Sequence, residues 1–367
     1  MATRLLTFLF SLAIGVSFAG CGSSRTMMPG STPNGFVLVA NLDLSSISIF
    51  QKSAGAGRLL MLGSLSTGPC ADPIYLESNP AQTFVFVSCL SSNNVASFAV
   101  DHTSGNLTLV GAPAATGQAP TSVAVHPSGN FVYVANITSG NVSAFAVAAD
   151  GTLAEIPGSP FAAGLSPYWI EMSESGNFAY VANRDSNNVG VYQVNASTGA
   201  LTQIPGSPFP ADKGPRAVVL SGRFAFVPNR FANTVSAYTV DSVTGALSQV
   251  PGSPFATGTD PRTAAVDSSG RFLYVANYAS NDVSAYMIDQ NSGSLAPVNG
   301  SPFPGGQGAL QIETDTSGKL VYVANSVSDN VTVFAIDSAT GGLQPLQTIP
   351  VPGRAASFTQ TTFQPTM

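Results

Sequence analysis

Three segments of the chain have nearly the same sequence: FVYVANITSGNVSAF at residues 131–145, FAYVANRDSNNVGVY at 178–192 and FLYVANYASNDVSAY at 272–286. Aligned on the residue that ends the VAN segment, seven copies follow one another at intervals of 46 to 48 residues. The seven anchors are Asn41, Cys89, Asn136, Asn183, Asn229, Asn277 and Asn325. We expect the Asn anchors to be mostly structural, each hydrogen-bonding its own following amides in a tight turn. A fixed period of this length is typical of a fold built from repeated units.

Each copy consists of four short apolar runs. In the third copy they read TSVAVHPSG, FVYVAN, NVSAFAV and DGTLAEI. The runs are rich in β-branched and aromatic residues and are bounded by Gly, Asn, Pro and Ser, which indicates strands separated by turns. The second run is apolar on both alternating faces, so we expect it to be buried on both sides. Four antiparallel strands per copy predict an all-β, seven-bladed β-propeller.

The two ends of the repeat region complement each other. The first copy begins at Phe36 with its second strand, and the segment GRAASFTQ (353–360) follows the last copy and has the character of a first strand. We therefore predict that the C-terminal strand completes the first blade and closes the ring. The propeller domain is assigned to residues 35–367.

Composition excludes several classes of function. Only 9% of the 367 residues are charged and the net charge is −6, which disfavours nucleic-acid binding because phosphate neutralisation needs clustered cations. The chain has 2 His and no CxxC motif, so the sequence predicts no metal site and no cofactor.

The N-terminus has the pattern of an export signal. One Arg, the apolar stretch LLTFLFSLAIGVSFAG and then Cys21 predict a lipoprotein-type signal peptide at 1–20, lipidation of Cys21 and a flexible tether at 21–34. The alternative is ordinary cleavage after Ala19 or Gly20, which leaves Cys21 free. We expect an exported protein of the bacterial cell envelope, either a membrane-anchored lipoprotein or a periplasmic or extracellular protein, touching the membrane only through its lipid.

The remaining two cysteines, Cys70 and Cys89, flank a predicted hairpin with strands near 74–78 and 83–88. They fall at the same open end of that hairpin, and an oxidising compartment lets such a pair persist. We predict a structural disulfide between them.

Several motifs resemble a known family. The YVAN repeats, the HPSG or DSSG turns before them and the recurrent PGSPF segment (157–161, 205–209, 251–255) resemble YVTN-repeat, lactonase-like seven-bladed propellers. That family includes bacterial 6-phosphogluconolactonases and fungal muconate cycloisomerases. The resemblance implies a mouth that presents Arg with His and Glu, often as Pro-Arg-His in the first strand and Asn-Glu after the second.

Strand direction assigns the segment after each VAN, the start of each first strand and the PGSPF loops to one face, which we call the top face. Guanidinium groups that converge there would suit a carboxylate or phosphate, and aromatic side chains would supply a wall. The predicted ligand-binding residues are Arg184, Arg216, Arg230, Arg262, Tyr168, Trp169 and Tyr278, with Lys213 nearby. The alternative is a set of separately solvated arginines, balanced by Asp185, Asp212 and Asp260.

The first strands carry a second pattern. Glu77, Glu171 and Glu313 occupy equivalent positions in blades two, four and seven, where Ala124 and Ala265 stand in blades three and six. The first strand of a blade lines the central channel, so three carboxylates would share one water-filled axis, with raised pKa values suited to acid or base chemistry. The alternative is that each accepts hydrogen bonds from a neighbouring blade.

Two functional hypotheses follow. In the first, an exported, lipid-anchored monomer binds an anionic small molecule, glycan or protein partner on its top face without catalysis. In the second, the protein is a lactone hydrolase of 6-phosphogluconolactonase type. Pro215-Arg216 and Pro261-Arg262 match the family, but Ala217 and Thr263 stand where His would be, and Arg184 and Arg230 stand where Glu would follow Asn. A hydrolase would therefore need Glu171, Glu313 or Asp185 as its base.

Overall fold

The computed structural model describes residues 33–53 and 57–361, and these residues form seven antiparallel sheets. The predicted signal peptide, Cys21, most of the predicted tether and residues 362–367 lie outside the described residues. Among the described residues, none belongs to a helix with the length and hydropathy needed to cross a bilayer.

Three blades come from the first part of the chain. Blade one contains β1 (Pro33–Asn41), a 3₁₀ turn (Leu42–Leu44), β2 (Ser46–Ser53) and β3 (Leu59–Ser66). Blade two contains β4 (Pro73–Ser78), β5 (Phe84–Cys89), β6 (Asn94–Val100) and β7 (Leu107–Ala115). Blade three contains β8 (Pro120–Val125), β9 (Phe131–Asn136), β10 (Asn141–Val147), β11 (Leu153–Glu155) and β12 (Phe161–Ala162).

The other four blades follow in order. Blade four contains β13 (Pro167–Met172), β14 (Phe178–Asn183), β15 (Asn188–Val194), β16 (Leu201–Gln203) and β17 (Phe209–Pro210). Blade five contains β18 (Val219–Ser221), β19 (Phe224–Asn229), β20 (Thr234–Val240), β21 (Leu247–Gln249) and β22 (Phe255–Ala256). Blade six contains β23 (Pro261–Val266), β24 (Phe272–Asn277), β25 (Asp282–Ile288), β26 (Leu295–Pro297) and β27 (Phe303–Pro304). Blade seven contains β28 (Ala309–Thr314), β29 (Leu320–Asn325), β30 (Asn330–Ile336) and β31 (Leu343–Pro350), and β32 (Ala355–Thr361) follows.

The ring closes as predicted. Strand β32 pairs antiparallel with β1, from Phe36 opposite Thr361 to Ala40 opposite Ser357, and forms the inner strand of blade one. The amide of Leu42 also donates to the carbonyl of Arg354 at 2.9 Å. The prediction of a seven-bladed β-propeller completed by its C-terminal strand is confirmed.

The hydrophobic core is divided among the blade interfaces. The described residues form seven buried clusters, one between each pair of neighbouring blades. Second strands such as β9 and β14 are buried at every position, as the two-faced apolar pattern predicts. Tyr180 in blade four reaches the next blade, where its hydroxyl donates to the carbonyl of Gly245 at 3.1 Å. Gly245 has φ +76°, and a Cβ there would lie 2.6 Å from the ring of Phe178.

The PGSPF segment lies elsewhere than expected. We predicted it on the top face, but it interrupts the outer strand at mid-height: in blade three, β11 pairs with the lower half of β10 and β12 with the upper end. The hydroxyl of Ser159 in this interruption accepts from the amide of Ala144 at 3.0 Å, in place of a ladder partner. The same bond recurs with Ser207, Ser253 and Ser301.

The anchor asparagines connect two strands. We expected each to bond its own following amides, but in blade three the buried Asn136 donates from Nδ2 to Asn141 Oδ1 at 2.8 Å and to Ser143 Oγ at 2.9 Å. The left-handed turn residue is instead the fourth one after the anchor, for example Asn187 with φ +53°.

In blade two the anchor position is Cys89, which forms a disulfide with Cys70 across a Cα separation of 5.0 Å.

The inner strand of blade five departs from the template. Regular pairing begins only at Val219, whereas the inner strand of blade four begins at Pro167. The adjacent strand β19 carries Pro228 at this point, where the other VAN segments have Ala or, in blade two, Ser. The Pro228 carbonyl accepts from the amide of Arg216, on the inner strand, at 2.9 Å. Because the N–H and C=O of one strand residue point to the same side, the N–H that proline lacks would also have faced the inner strand.

Candidate functional site

A cavity of about 50 Å³, which we call the mouth cavity, lies at the top end of the central channel. Its walls come from the upper ends of the inner strands, and all seven blades contribute to it. The lining residues are Ile74, Tyr75, Thr121, Ser122, Tyr168, Trp169, Arg216, Thr263, Leu310, Gln311, Ala356 and Ser357.

Arg216 is the charged residue of this lining. Its guanidinium carbon lies 3.5 Å from the centroid of the Tyr168 ring, and its Nη2 donates to the Tyr168 hydroxyl. The side chain is 6% exposed, and no carboxylate among the described residues lies within ion-pair distance of it. Burial, together with the positive charges of Arg262 and Arg230, lowers the pKa of Arg216 to about 9. The group therefore stays cationic at neutral pH.

The three other arginines of the predicted ligand set are already paired. Asp260 accepts from Arg230 Nε at 3.0 Å and from Arg262 Nη2 at 2.6 Å. Arg262 also lies over the ring of Tyr278, with 4.2 Å between the guanidinium carbon and the ring centroid. This bridge through Asp260 joins blades five and six beside the mouth cavity.

Arg184 forms a two-point ion pair with its neighbour Asp185, at 2.8 and 3.0 Å. Asp185 also accepts from the hydroxyl of Ser166 at 2.6 Å. The hydrogen bonds from Arg184 are the main cause that lowers the pKa of Asp185 to about 2. A carboxylate this acidic is a weak proton acceptor, which argues against Asp185 as a general base.

The structure thus divides the sequence-predicted ligand residues into two groups. Tyr168, Trp169 and Arg216 line the mouth cavity, while Arg184, Arg230, Arg262 and Tyr278 lie outside that lining. Arg230 and Arg262 are still close enough to Arg216 to affect its pKa. These four arginines gather on one face, and Arg216 is the one of the four without a carboxylate partner among the described residues.

Trp169 connects the mouth to the deeper channel. Its indole Nε1 donates to Glu171 Oε2 at 3.0 Å, and its ring meets Tyr75 edge-on with 4.8 Å between centroids. Burial raises the pKa of Glu171 to about 7, against the lowering effect of the bond from Trp169. Glu171 therefore titrates near neutral pH.

Glu77 and Glu313 share this deeper position. Burial raises the pKa of Glu313 to about 8 and that of Glu77 well above its ordinary value, and repulsion from Glu171 adds to both shifts. Glu77 accepts from the amide of Val125, in the next blade, at 3.3 Å, and Glu313 accepts from Gln311 Nε2 at 3.1 Å. Mutual repulsion between these carboxylates is thus present together with hydrogen bonds to them, but the expected bond from a neighbouring blade is seen for Glu77 and not for Glu171, which accepts from Trp169 of its own blade.

Sequence reasoning missed part of the lining, including Tyr75, Gln311 and Ser357. The available signal was positional, because these residues and Trp169 are each two places after the residue that opens their inner strand.

His126 lies on the opposite, bottom face in a turn, bonded to Ser128 Oγ at 2.8 Å and to the carbonyl of Gly176 at 3.1 Å. Across residues 33–53 and 57–361, no group of three or more His, Cys, Asp or Glu is arranged to hold a metal ion.

The chain belongs to the lactonase family of seven-bladed β-propellers. The family model described as "Lactonase, 7-bladed beta-propeller" matches residues 31–125, 110–214, 202–310 and 305–357. No protein with a curated description matches the chain.

Solved structures with the same fold come from several bacteria. A proposed 6-phosphogluconolactonase from Bacteroides uniformis is 21% identical, with a TM-score of 0.81, covering 90% of this chain and 100% of that one. A periplasmic gluconolactonase from Pseudomonas aeruginosa is 22% identical, with a TM-score of 0.78, covering 90% of this chain and 99% of that one. Likeness at this level of identity establishes the shared fold.

Proposed function

We propose that the protein binds an anionic small molecule in the mouth cavity through Arg216. The observation that carries this proposal is the contrast among the four predicted arginines: three are neutralised by Asp185 or Asp260, whereas Arg216 is buried and cationic without a carboxylate among the described residues. A bound carboxylate would supply the missing charge through charge-assisted hydrogen bonds. The remaining walls, including Ile74, Leu310 and Trp169, are mostly apolar.

The size of the cavity limits what enters it. The cavity volume of about 50 Å³ has room for roughly three to five atoms the size of a water molecule, since each such atom needs about 10–15 Å³. This space fits a carboxylate with one or two further atoms. A larger ligand would insert its acidic end and leave the rest above the top face, next to Arg184, Arg230 and Arg262, where a glycan or a protein partner could equally present an acidic group.

Lactone hydrolysis is the second candidate, favoured by the family match and by Glu171. A carboxylate with pKa about 7 can take a proton from water, whose oxygen then adds to the lactone carbonyl while the ring oxygen leaves and is protonated. Arg216 would stabilise the negative charge on the former carbonyl oxygen. Against this candidate, Glu171 lies beneath Trp169 and outside the lining of the cavity, and Ala217 and Thr263 occupy the positions of the family's His.

We also propose export to the bacterial cell envelope, attachment to the membrane through a lipid on Cys21, and a monomeric state. The support for export and lipidation is the N-terminal sequence pattern, LLTFLFSLAIGVSFAG followed by Cys21. Metabolic labelling with a fatty-acid analogue tests the lipid, and a Cys21→Ser variant that is labelled as strongly as the native chain refutes it.

One experiment separates binding from hydrolysis. Residues 22–367 are purified, acetate binding is measured by calorimetry, and acid release from gluconolactones is followed at constant pH. We expect acetate to bind the native protein and to bind Arg216→Ala at least about tenfold more weakly, as loss of a charge-assisted bond implies. Arg223→Ala, a matched change on the bottom face, should leave binding unchanged.

Each result decides between the candidates. Binding without acid release supports the binding function, and acid release that is lost in Arg216→Ala supports the hydrolase. Equal acetate affinity in Arg216→Ala and the native protein refutes the proposed site.

A further inference from the structure

The channel below the mouth cavity has an unusual charge balance. Three carboxylates, Glu77, Glu171 and Glu313, come from blades two, four and seven and are half-buried; we call them the channel layer. The cation that couples to this layer is Lys52, which donates to Gln360 Oε1 at 3.2 Å and is attracted to Asp315 and Glu313. Full ionisation would therefore leave a net negative charge in an enclosed space, which is costly.

The channel layer resolves this cost by keeping protons. Burial raises the pKa of Glu313 to about 8 and that of Glu77 well above its ordinary value, and repulsion by the Glu171 carboxylate adds to both shifts. Burial is the main cause that raises the pKa of Tyr75, and electrostatic repulsion by the three carboxylates adds to it, so this side chain stays neutral as well. Glu171, with a pKa of about 7, is the member of the channel layer that loses its proton near neutral pH.

Glu171 is also the member with a direct path to the mouth. It accepts the single indole hydrogen bond of Trp169, and the Trp169 side chain lines the mouth cavity together with Tyr168 and Arg216. An ionised acceptor holds a donor more tightly than a neutral one does. Loss of the Glu171 proton thus has two consequences: it tightens the indole bond, and it adds a negative charge beneath the site where an anion would sit.

We propose that Glu171 is a positioning residue that couples the protonation of the channel layer to the mouth cavity through Trp169, so that anion binding weakens as Glu171 ionises. By linkage, an anion bound at Arg216 disfavours ionisation of Glu171 to the same extent. The effect on Trp169 does not depend on any ligand. The effect on affinity rests on the function proposed above.

The first test uses the fluorescence of Trp169, which is the only Trp in the chain. The full chain without added ligand is titrated from about pH 5.5 to 9, a window that spans the shifted value of Glu171. We expect one change in emission with a midpoint near pH 7, absent in Glu171→Gln and retained in Glu174→Gln. Glu174 is the matched control, because it lies three residues further along the same blade in an exposed turn.

An unchanged midpoint in Glu171→Gln, or flat emission in the native protein, overturns the coupling. If Glu171→Gln fails to fold, Trp169→Phe supplies the second variant: titration of Glu171, followed by NMR of labelled glutamate, should shift to higher pH because a bond that favours the ionised form is lost. A Glu171 midpoint that stays in place there also overturns the coupling.

The second test uses acetate as the probe anion at pH 6 and pH 8.5. We expect about fivefold weaker binding or more at pH 8.5 in the native protein, and a smaller difference in Glu171→Gln. Equal affinity at both pH values overturns the effect on affinity. Absence of acetate binding at either pH refutes the proposed function instead, and the fluorescence titration then decides the coupling by itself.

Discussion

Blades four and five are neighbours built on the same repeat, yet they present different inner strands to the channel. Blade four has a regular strand, Pro167–Met172, that contributes Tyr168, Trp169 and Glu171. Blade five pairs regularly only over Val219–Ser221, and the preceding irregular segment carries Arg216. The two blades meet at the mouth cavity, where the ring of Tyr168 is stacked on the guanidinium of Arg216.

Two changes in sequence produce the difference. Pro228 removes an N–H on the side of the inner strand, and the bottom hairpin of blade five is shortened to Gly222-Arg223, where blade four has the five residues 173–177. On the bottom face the short hairpin leaves spaces of about 360 and 570 Å³ on its two sides. The comparison teaches that one irregular blade in a regular ring suffices to place a distinct side chain at the shared axis.

Making blade four resemble blade five should have the largest effect. Ala182 is the counterpart of Pro228. Ala182→Pro removes a ladder N–H and should reduce the free energy of unfolding by about 3 kcal/mol, the upper end of the cost of leaving a buried hydrogen-bond acceptor without its donor. Equilibrium urea denaturation measures the change. A loss below about 1 kcal/mol would show that the proline does not cause the irregular pairing in blade five.

The acidic residue of blade four gives the next effect. Because the pKa of Glu171 is raised from 4.5 to about 7, the folded protein holds this proton more firmly than the unfolded chain does. The stability linked to this proton is therefore fully present below about pH 4.5 and is lost as the pH rises through 7. Glu171→Gln should raise the free energy of unfolding at pH 8 by on the order of 1–3 kcal/mol and have little effect at pH 5.

Thermal unfolding at both pH values measures this effect, with Glu174→Gln as the exposed reference variant. A stabilisation of equal size at pH 5 and pH 8 would contradict the assignment, because a neutral Glu171 and Gln differ little in charge.

The stack between the blades should matter for binding more than for folding. Tyr168→Ala removes both the ring under Arg216 and the hydroxyl that accepts from it, so acetate affinity should fall about tenfold. Tyr278→Ala is the matched control, since Arg262 keeps its bond to Asp260 without the ring. Calorimetry compares the two variants, and equal losses would remove the distinction between the paired and unpaired arginines.

The smallest effect is expected when blade five is made to resemble blade four. Pro228→Ala restores an N–H but gives the unfolded chain more freedom, so stability should change by less than about 1 kcal/mol. The informative measurement is the protection of this new amide from hydrogen exchange. Rapid exchange would mean that the inner strand stays unpaired for another reason.

The repeat predicted the fold well because local and global signals agree in it. Strand chemistry, the 46 to 48-residue step and the complementary ends each indicate a closed ring. The PGSPF segment was placed wrongly because its Pro and Gly residues mark a turn without revealing that the turn interrupts one strand. The role of the anchor Asn136 was also misread, since its partners Asn141 and Ser143 lie on the adjacent strand.

The position of the candidate site was predictable from the sequence, but the ion pairs between its arginines and carboxylates were less so. Register placed Tyr168, Trp169 and Arg216 at the same end of the channel, and placed Glu77, Glu171 and Glu313 at one depth. Which carboxylate neutralises which arginine depends on side chains that meet across blades. Asp260 serves Arg230 of the preceding blade as well as Arg262 of its own, and a repeat alignment of single blades does not contain that information.

The closing strand β32 has a consequence for biosynthesis. Its residues Ala356 and Ser357 form one wall of the mouth cavity, and they are made after the six blades that follow blade one along the chain. A chain that stops before Ala355 would have six complete blades, an unpaired edge on β1 and an open side at the mouth cavity. Synthesis through β32 is thus a requirement for a closed mouth cavity, and copies terminated before this strand would be marked by an exposed strand edge that invites aggregation or proteolysis.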